Sequence, residues 1–380
     1  MSRASVLALV LVAGAPAALA GQASQFGVRA LGLPSLPQSA RSHGTAGALG
    51  FFDPESAINP ASLRGVTRSM ASFNLLQSWR TSENPFGRTT GNDSQFPLFF
   101  AAGPIGSRLV GSVSASVYSD RTFGLALEDT LVLRDVPVVA SDTVLSRGGI
   151  SDLRAGLAYR IGPRAAVGLG LHILTGTNRI EFRRTFSDSN YASVRLRNEL
   201  SFAGFGVSLG ALVEPVVGLQ LAAFARLDGD LSLDRDTTDI GDLNLPRSLG
   251  AGVRWQAARG LVIAGHVLTQ TWSRLDADLK ARGGVGAVNT VAVAGGLEWF
   301  RSATRPGRLP IRAGVRWGRL PFPVEDGAEG GSELAIALGT GFRFAGDRGS
   351  VDLAVERIWR DEGVFRERAY ALKLGIGIRQ

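Results

Sequence analysis

The stretch YALKLGIGIRQ, residues 370–380, places a large apolar side chain at every second position. Alternation with a period of two is typical of a β-strand whose two faces meet different surroundings. The large apolar side chains are Tyr370, Leu372, Leu374, Ile376 and Ile378, and the side chains between them are Ala371, Lys373, Gly375 and Gly377. The end of the chain therefore predicts a strand with one apolar face and one face that is small or charged.

The same alternation occurs in fourteen segments, and the connections between them alternate in length. Short connections such as 162–164 alternate with long polar ones such as 120–149. An even number of antiparallel strands with short turns at one end and long loops at the other is typical of an outer-membrane barrel. We therefore predict an all-β fold, a 14-stranded antiparallel transmembrane β-barrel over residues 66–380. The segments lie at roughly 66–80, 97–103, 108–119, 150–161, 165–176, 196–213, 218–228, 247–256, 261–273, 289–300, 309–318, 333–345, 350–360 and 369–378.

The charges on the two faces distinguish a lipid-embedded barrel from a soluble β-sandwich. The apolar face carries one charge, Arg357, and an arginine at the middle of a bilayer costs roughly 2–4 kcal/mol. The opposite face contains many charged side chains among glycines and alanines, which indicates a polar lumen and not a dry core. We expect three opposite-charge pairs across neighbouring strands on this inner face: Arg343 with Asp352, Glu298 with Arg312, and Glu356 with Lys373.

The tryptophans lie at or near the predicted strand ends. Aromatic side chains of this kind favour the headgroup level on both sides of a bilayer. The pattern predicts two aromatic girdles, with Trp79, Trp272, Trp317 and Trp359 on the long-loop side and Trp255 and Trp299 on the short-turn side.

The beginning of the chain has the features of an export signal. Arg3 precedes an apolar stretch, and small residues end at Ala20, so we predict a signal peptide over residues 1–20. The chain has no cysteine, which excludes disulfides and thiol chemistry. The formal charge of +8 is compatible with anionic lipid headgroups, and export argues against nucleic acid as a partner.

The segment DPESAINPASL, residues 53–63, interrupts this pattern with two turns that begin at prolines. Asp53 and Asn59 each precede one of these prolines, so their side chains are placed to cap the turns. Proline suits the first position of a helical turn, because the N–H that it lacks is not needed there. A segment too small to form its own core needs a host surface, and a barrel lumen offers one. We predict that residues 21–65 form an N-terminal plug, or hatch, inside the barrel.

The stretch ARSHGTAGALGFFDPESAINPASL, residues 40–63, resembles the N-terminal signature of the FadL family of outer-membrane transporters and of their PorV-type relatives. The most specific part is Asn59, Pro60 and Ala61, the plug motif, although Ser62 stands where the family usually has Gly or Ala. TQTWSRL (269–275) and LPIRAGVRWG (309–318) are similar to later stretches of that family. The resemblance implies a 14-stranded barrel closed by a hatch, which agrees with the strand count, and passive transport of long-chain fatty acids or other hydrophobic compounds.

Several predicted inward positions are large and apolar despite the polar lumen, and all lie near the long loops. Together with two phenylalanines of the plug they predict a site for a hydrophobic ligand. The alternative is that the alternation fails where loops fold inward at strand ends. The predicted ligand-binding residues are Phe51, Phe52, Leu174, Phe224, Leu268, Trp272 and Ile358.

The histidines give no sign of catalysis or metal binding. His172 and His266 fall on the lumen face, and the turn at 162–164 places Arg154, not a metal ligand or a nucleophile, opposite His172. There is no nucleophile-elbow pattern. We therefore expect no enzyme activity, no catalytic residues, no metal and no cofactor.

The leading functional hypothesis is an outer-membrane channel for passive uptake of hydrophobic small molecules such as long-chain fatty acids or hydrocarbons. The alternative is a PorV-like scaffold or shuttle for secreted proteins, which would not transport small molecules. Expected partners are outer-membrane lipid, lipopolysaccharide and the hydrophobic ligand, with secreted proteins as partners under the alternative. Arg179, Arg183 and Arg184 lie in one predicted outer loop, where they would suit lipopolysaccharide phosphates.

Overall fold

A computed structural model of the chain describes residues 24–85, 87–300, 309–325 and 327–380. Fourteen antiparallel strands, β1 to β14, form a closed barrel in which each strand pairs with its neighbours along the chain and β14 pairs with β1. The fold predicted from the alternation is confirmed. The strands are β1 Met70–Asn84, β2 Gly87–Pro104, β3 Leu109–Asp120, β4 Val136–Arg160, β5 Ala165–Phe186, β6 Val194–Val216, β7 Leu219–Arg235, β8 Arg247–Ala258, β9 Leu261–Gln270, β10 Thr290–Trp299, β11 Ile311–Arg319, β12 Ser332–Phe344, β13 Gly349–Glu362 and β14 Phe365–Arg379.

The remaining elements are short. Two additional strands, Phe123–Leu133 and Thr238–Asn244, extend hairpins at the long-loop end, and Leu33–Pro34 pairs with β3. The α-helices are α1, Ala40–His43, and α2, Asp276–Ala281. The 3-10 turns are Gln25–Gly27, Pro54–Ser56, Pro60–Gly65 and Trp272–Leu275.

Strand pairing extends well beyond the predicted segments at the long-loop end. The pairing of β1 with β2 continues to Asn84 and Gly87, and β4 begins at Val136, inside the predicted loop 120–149. These extensions are rich in Thr, Ser, Asn and Gly, as in GRTTGNDSQ at 87–95. Where a strand projects beyond the bilayer, neither of its faces contacts lipid. Large apolar residues then do not recur at every second position, and the sequence does not reveal the strand.

The outer surface of the barrel is apolar, as predicted. Leu171 is 54% exposed and Ile378 64%, whereas Lys373 on the opposite face is 3% exposed. Arg357, the charge on the apolar face, lies over the ring of Tyr370 at 4.0 Å from the ring centroid. Aromatic rings at this level are typical of the bilayer interface, where the cost of an arginine is small.

Five tryptophans share the outward face, but Trp272 does not. Trp79, Trp255, Trp299 and Trp317 are exposed and Trp359 is half-buried. Trp272 is 1% exposed in the turn after β9, where its ring contacts Phe322 edge-on at 5.2 Å. Its predicted place in an aromatic girdle is wrong, because that turn folds inward over the lumen.

The predicted charge pairs have mixed outcomes. Glu298 and Arg312 face each other on β10 and β11, with 2.8 Å between Arg312 Nε and Glu298 Oε1. Arg343 is instead opposite Ser350, because the turn at 345–348 shifts the register by two residues from the one assumed. Lys373 is opposite Ala354 and its amine donates to the plug carbonyl of Gln38, so the pair with Glu356 is also wrong.

No helix in the described ranges is long and apolar enough to cross a bilayer. The signal predicted at residues 1–20 lies outside the described part of the chain.

Candidate functional site

The N-terminal segment runs through the barrel lumen from the long-loop end to the short-turn end. Ser24 donates a hydrogen bond to Glu367 on β14 near the long loops. Arg64 lies at the opposite end, where it donates to the carbonyl of Pro163 in a short turn. We divide this segment, predicted as a plug over residues 21–65, into two parts. From here on, the plug is residues 38–66 and the N-terminal arm is residues 24–37.

The plug motif fits against two glycines of the barrel wall. Gly168 and Gly210 are direct partners on β5 and β6. A Cβ at Gly168 would lie 2.4 Å from the carbonyl carbon of Pro60, and one at Gly210 would lie 1.9 Å from Oδ1 of Asn59. Asn59 caps its turn as predicted, accepting a hydrogen bond from the backbone of Ala61. The motif therefore requires a wall without side chains at this point.

The small-residue run of the plug makes a second close contact. A Cβ at Gly314 on β11 would lie 2.1 Å from the carbonyl oxygen of Thr45, and one at Gly339 on β12 would lie 2.7 Å from Cα of Gly44. The inward glycines thus form a cradle for the plug backbone, which explains why these strands carry so few inward side chains.

Buried ion pairs fasten the plug to the wall. Arg41 donates to both carboxylate oxygens of Glu298, with bond lengths of 3.0 and 2.6 Å. Glu298 is 1% exposed and also accepts from Arg312, which in turn donates to Asp352 at 2.6 Å. Asp53 caps no helix here, because its carboxylate accepts from Ser39. The inner charges that suggested a hydrated lumen are largely paired with the plug and with each other.

A second set of polar contacts lies near the long-loop side of the plug. Nε2 of His43 lies 2.9 Å from Glu356, whose other oxygen is 3.1 Å from Arg316. Burial lowers the pKa of His43, although Glu356 beside it favours the charged form. The amine of Lys373 donates to Gln38, and Arg154 donates to the carbonyl of Ala57.

The seven predicted ligand-binding residues do not form one pocket. Phe51, Phe224 and Leu268 pack together with Phe52 at their edge, which makes them contacts between plug and wall. Leu174 and Trp272 belong to a larger cluster under the long loops. Ile358 packs in a third cluster. Phe51 also stacks on His266 at 4.5 Å between ring centroids.

Three of the seven, Leu268, Trp272 and Ile358, line a cavity of about 260 Å³ on the long-loop side of the plug. We call it the upper cavity. The N-terminal arm covers it with Leu33 and Leu36 among its lining residues. The ligand-binding role of these residues stays a prediction.

Sequence reasoning missed the polar part of the upper cavity. Arg80, Arg316, Glu333 and Arg360 line it, and an ion-pair chain joins Arg316 to Glu333 and Glu333 to Arg360. The alternation could have placed each of these residues, taken one at a time, on the inward face of its strand. Their convergence depends on the barrel register, which the alternation alone does not fix.

The barrel wall has a split beside the upper cavity. Pairing between β2 and β3 ends at Leu98 and Ser116, although each strand continues along its other neighbour. Pro97 on one edge and Val117 on the other both line the upper cavity. Ser119 and Asp120 at the free edge of β3 pair instead with the Leu33–Pro34 strand of the N-terminal arm. The arm therefore occupies part of the edge that β2 leaves unpaired.

One buried cluster has the connectivity of a serine-hydrolase triad. Nδ1 of His172 lies 2.9 Å from Asp152, and its Nε2 lies 2.8 Å from Oγ of Ser208. Ser208 is 0% exposed, so a substrate carbonyl has no access to its hydroxyl in this structure. Asp152 also accepts from Arg226, and the cluster links β4, β5, β6 and β7. We assign it a structural role.

Comparisons with known proteins support the fold. No family model matches the sequence, and no curated protein is significantly similar to it. Among solved structures, a Pseudomonas aeruginosa FadL homologue superposes with a TM-score of 0.64 at 14% identity, covering 91% of this chain and 99% of that one.

Two further solved structures are similar over comparable lengths. The Pseudomonas putida toluene transporter TodX gives a TM-score of 0.60 at 13% identity, covering 91% of this chain and 99% of that one. The monoaromatic hydrocarbon channel CymD gives 0.56 at 15%, covering 92% and 98%. The chain thus has the fold of these proteins, and the resemblance found in residues 40–63 is confirmed at the level of fold.

Proposed function

We propose that this protein is an outer-membrane channel for passive uptake of hydrophobic small molecules. The observation that carries the proposal is the upper cavity, which lies above a fastened plug and reaches both edges of a split in the wall. The similar folds of proteins described as a toluene transporter and a monoaromatic hydrocarbon channel support it.

The size of the upper cavity favours small substrates. A cavity of about 150 Å³ suffices for benzene in a protein core, and the upper cavity has about 260 Å³. A monoaromatic hydrocarbon or a short acyl chain would fit without rearrangement. A long-chain fatty acid would need the N-terminal arm to move.

The split suggests the exit route. Below the upper cavity the plug is held by ion pairs with buried carboxylates. In the described part of the chain, the split is bridged by a side-chain hydrogen bond from Gln95 to Asp120, 2.7 Å long, and by the short pairing of Leu33 and Pro34 with the edge of β3. Opening the split therefore breaks fewer contacts than moving the plug. We propose that substrate enters from the long-loop side and leaves sideways between β2 and β3.

The cavity is tested by uptake of toluene into cells that express cavity variants. Leu268→Asp and Ile358→Asp together place two carboxylates at the cavity wall and remove apolar contact. Losing one large buried apolar side chain costs about 1.5–3 kcal/mol, so we expect uptake at low toluene concentration to fall about tenfold or more. Ala292→Phe, which fills the cavity without adding charge, should give a loss in the same direction.

Barrel assembly is checked by the mobility of unheated protein in electrophoresis. The matched control is Ala126→Phe in the outer hairpin, away from the cavity lining, with uptake unchanged. Normal uptake by correctly assembled cavity variants would end the proposal.

The alternative of a scaffold for secreted proteins receives no support from the similar folds. A scaffold would copurify with protein partners and leave the upper cavity without a ligand, whereas a channel should retain hydrophobic molecules on gentle purification.

We also propose lipopolysaccharide as a partner of an outward patch on the β5–β6 hairpin. Arg183, Arg195 and Arg197 all lie within 3.5 Å of Glu181, and Arg179 pairs with Glu199 at 2.7 Å. On β5, Arg179, Glu181 and Arg183 lie an even number of residues from the lipid-facing Ile173, so their side chains point outward as well. Their direct partners on β6 are Glu199, Arg197 and Arg195, and the patch therefore continues the outer face beyond the apolar belt. Four arginines against two glutamates leave an excess of two positive charges for anionic headgroups.

The patch is tested by lipopolysaccharide retained after purification. Arg183→Gln, Arg195→Gln and Arg197→Gln together should reduce the retained amount about threefold or more, because three charged donors are lost. Arg184→Gln is the matched control, since Arg184 has the opposite parity and pairs with Asp142. Equal retention by both variants would remove lipopolysaccharide as a partner of this patch.

A further inference from the structure

A second cavity lies on the short-turn side of the plug. It has a volume of about 370 Å³ and is bounded by strands β8 to β14 and by the plug residues Arg41 and Glu55. We call it the lower cavity. Its volume is within the range of about 300–1,000 Å³ that is usual for small-molecule sites.

The lining of the lower cavity has an excess of positive charge. Its six arginines are Arg41, Arg254, Arg259, Arg312, Arg343 and Arg379, and its three carboxylates are Glu55, Glu298 and Asp352. Every carboxylate is already engaged. Glu298 binds Arg41 and Arg312, Asp352 binds Arg312, and Glu55 binds Arg379 at 2.7 Å.

Three of the arginines therefore lack a counter-ion among the described residues. Among the residues that the structure describes, no carboxylate oxygen lies within 4.0 Å of the guanidinium nitrogens of Arg254, Arg259 or Arg343. Arg254 and Arg343 are half-buried in the cavity wall, so water screens their charges only in part.

The residues outside the described ranges include a single acidic residue. The segment 301–308, RSATRPGR, which follows the lining residue Phe300, contains no acidic residue. Residues 1–23 and residue 86 contain none either, which leaves Asp326. The described neighbours of Asp326, Glu325 and Gly327, belong to the connection between β11 and β12 at the long-loop end.

We propose that the lower cavity binds a small anion, a carboxylate or phosphate group, through Arg254, Arg259 and Arg343. Guanidinium groups match both oxyanions with paired, charge-assisted hydrogen bonds. Such an anion would face the short-turn end, on the far side of the plug from the upper cavity. The site is independent of the cargo proposed for the upper cavity, because the two cavities share no lining residue.

The experiment is equilibrium binding to the purified full-length protein in a nonionic detergent, by calorimetry, with inorganic phosphate, acetate and octanoate as separate probes. We expect saturable binding of at least one probe. The variant Arg254→Gln/Arg259→Gln/Arg343→Gln should bind it about tenfold more weakly or worse, because the anion loses charge-assisted hydrogen bonds from three guanidinium groups.

The matched control removes three arginines from exposed short-turn positions that do not line the cavity: Arg108→Gln/Arg164→Gln/Arg348→Gln. Its affinity should stay within about twofold of the original. Tighter binding of octanoate than of acetate would identify the headgroup of an amphiphile as the source of the anion, and binding of phosphate would identify a free anion. No saturable binding of any probe, or equal loss in both triple variants, would overturn the proposal.

A second variant is used if the triple variant of the lower cavity assembles poorly. Binding is then measured with Arg343→Lys alone, which retains the charge but loses the planar donor geometry. We expect an intermediate affinity, and an affinity equal to that of the original protein would count against guanidinium recognition.

Discussion

Replacing Leu171 by arginine is expected to lower the free energy of unfolding of the barrel in lipid vesicles by about 2–4 kcal/mol. Leu171 is 54% exposed and lies between Val167 and Ile173 on the outward face of β5. In a bilayer this position meets acyl chains, which solvate a guanidinium poorly. The measurement is denaturant unfolding in vesicles of a phospholipid of defined chain length, followed by tryptophan fluorescence.

The control is Val217→Arg in the short turn between β6 and β7. Val217 is 80% exposed, more than Leu171, yet it should meet water or headgroups, so the expected change is about 0–1 kcal/mol. Similar effects at the two positions would mean that the apolar face does not contact lipid. A protein that dissolves and folds without detergent would lead to the same conclusion.

Replacing Glu298 by alanine is expected to weaken docking of the plug by about 3–5 kcal/mol. The substitution leaves the buried Arg312 and the half-buried Arg41 with one carboxylate partner fewer. A buried charge that loses a partner costs more than the pair contributes, so the plug should open often enough to let ions pass. Ion conductance in planar bilayers and hydrogen exchange of residues 38–66 should both rise.

The same variant separates the two exit routes. If substrate leaves through the split between β2 and β3, toluene uptake should stay near its original rate while ion conductance rises. A parallel rise of both would show that substrate passes the plug. Glu329→Ala is the control, because the Glu329 side chain is 87% exposed and its pair with Arg319 is 3.7 Å long.

Much of the barrel could be predicted from the sequence because lipid contact imposes a strict period of two. The segment 370–378 shows the reason, since every large apolar side chain there faces outward. The outer hairpins were missed because the stretch 87–95 meets water on both sides, and nothing in its composition distinguishes a paired strand from a loop.

The plug was also predictable in outline, but its contacts were not. Asn59 and Pro60 mark a turn by local chemistry alone, and the structure has that turn. The partners of Arg41 and His43 depend on strands more than 250 residues away in sequence, as in the 257-residue separation of Arg41 and Glu298. The alternation predicted which side chains point into the lumen, but not how far along the barrel axis each one lies. The predicted ligand-binding residues therefore belong to three separate clusters.

The course of the N-terminal arm has a consequence for the order of assembly. Ser24 is bonded to Glu367 across 343 residues, and the arm and plug contact wall strands from both halves of the chain. Contacts this distant in sequence carry a high closure entropy and form late. Residues 24–66, which precede every wall strand in the chain, must therefore wait without their partners until the seam between β14 and β1 closes around them. A chaperone that shields residues 24–66 during this interval would speed maturation without touching the finished molecule.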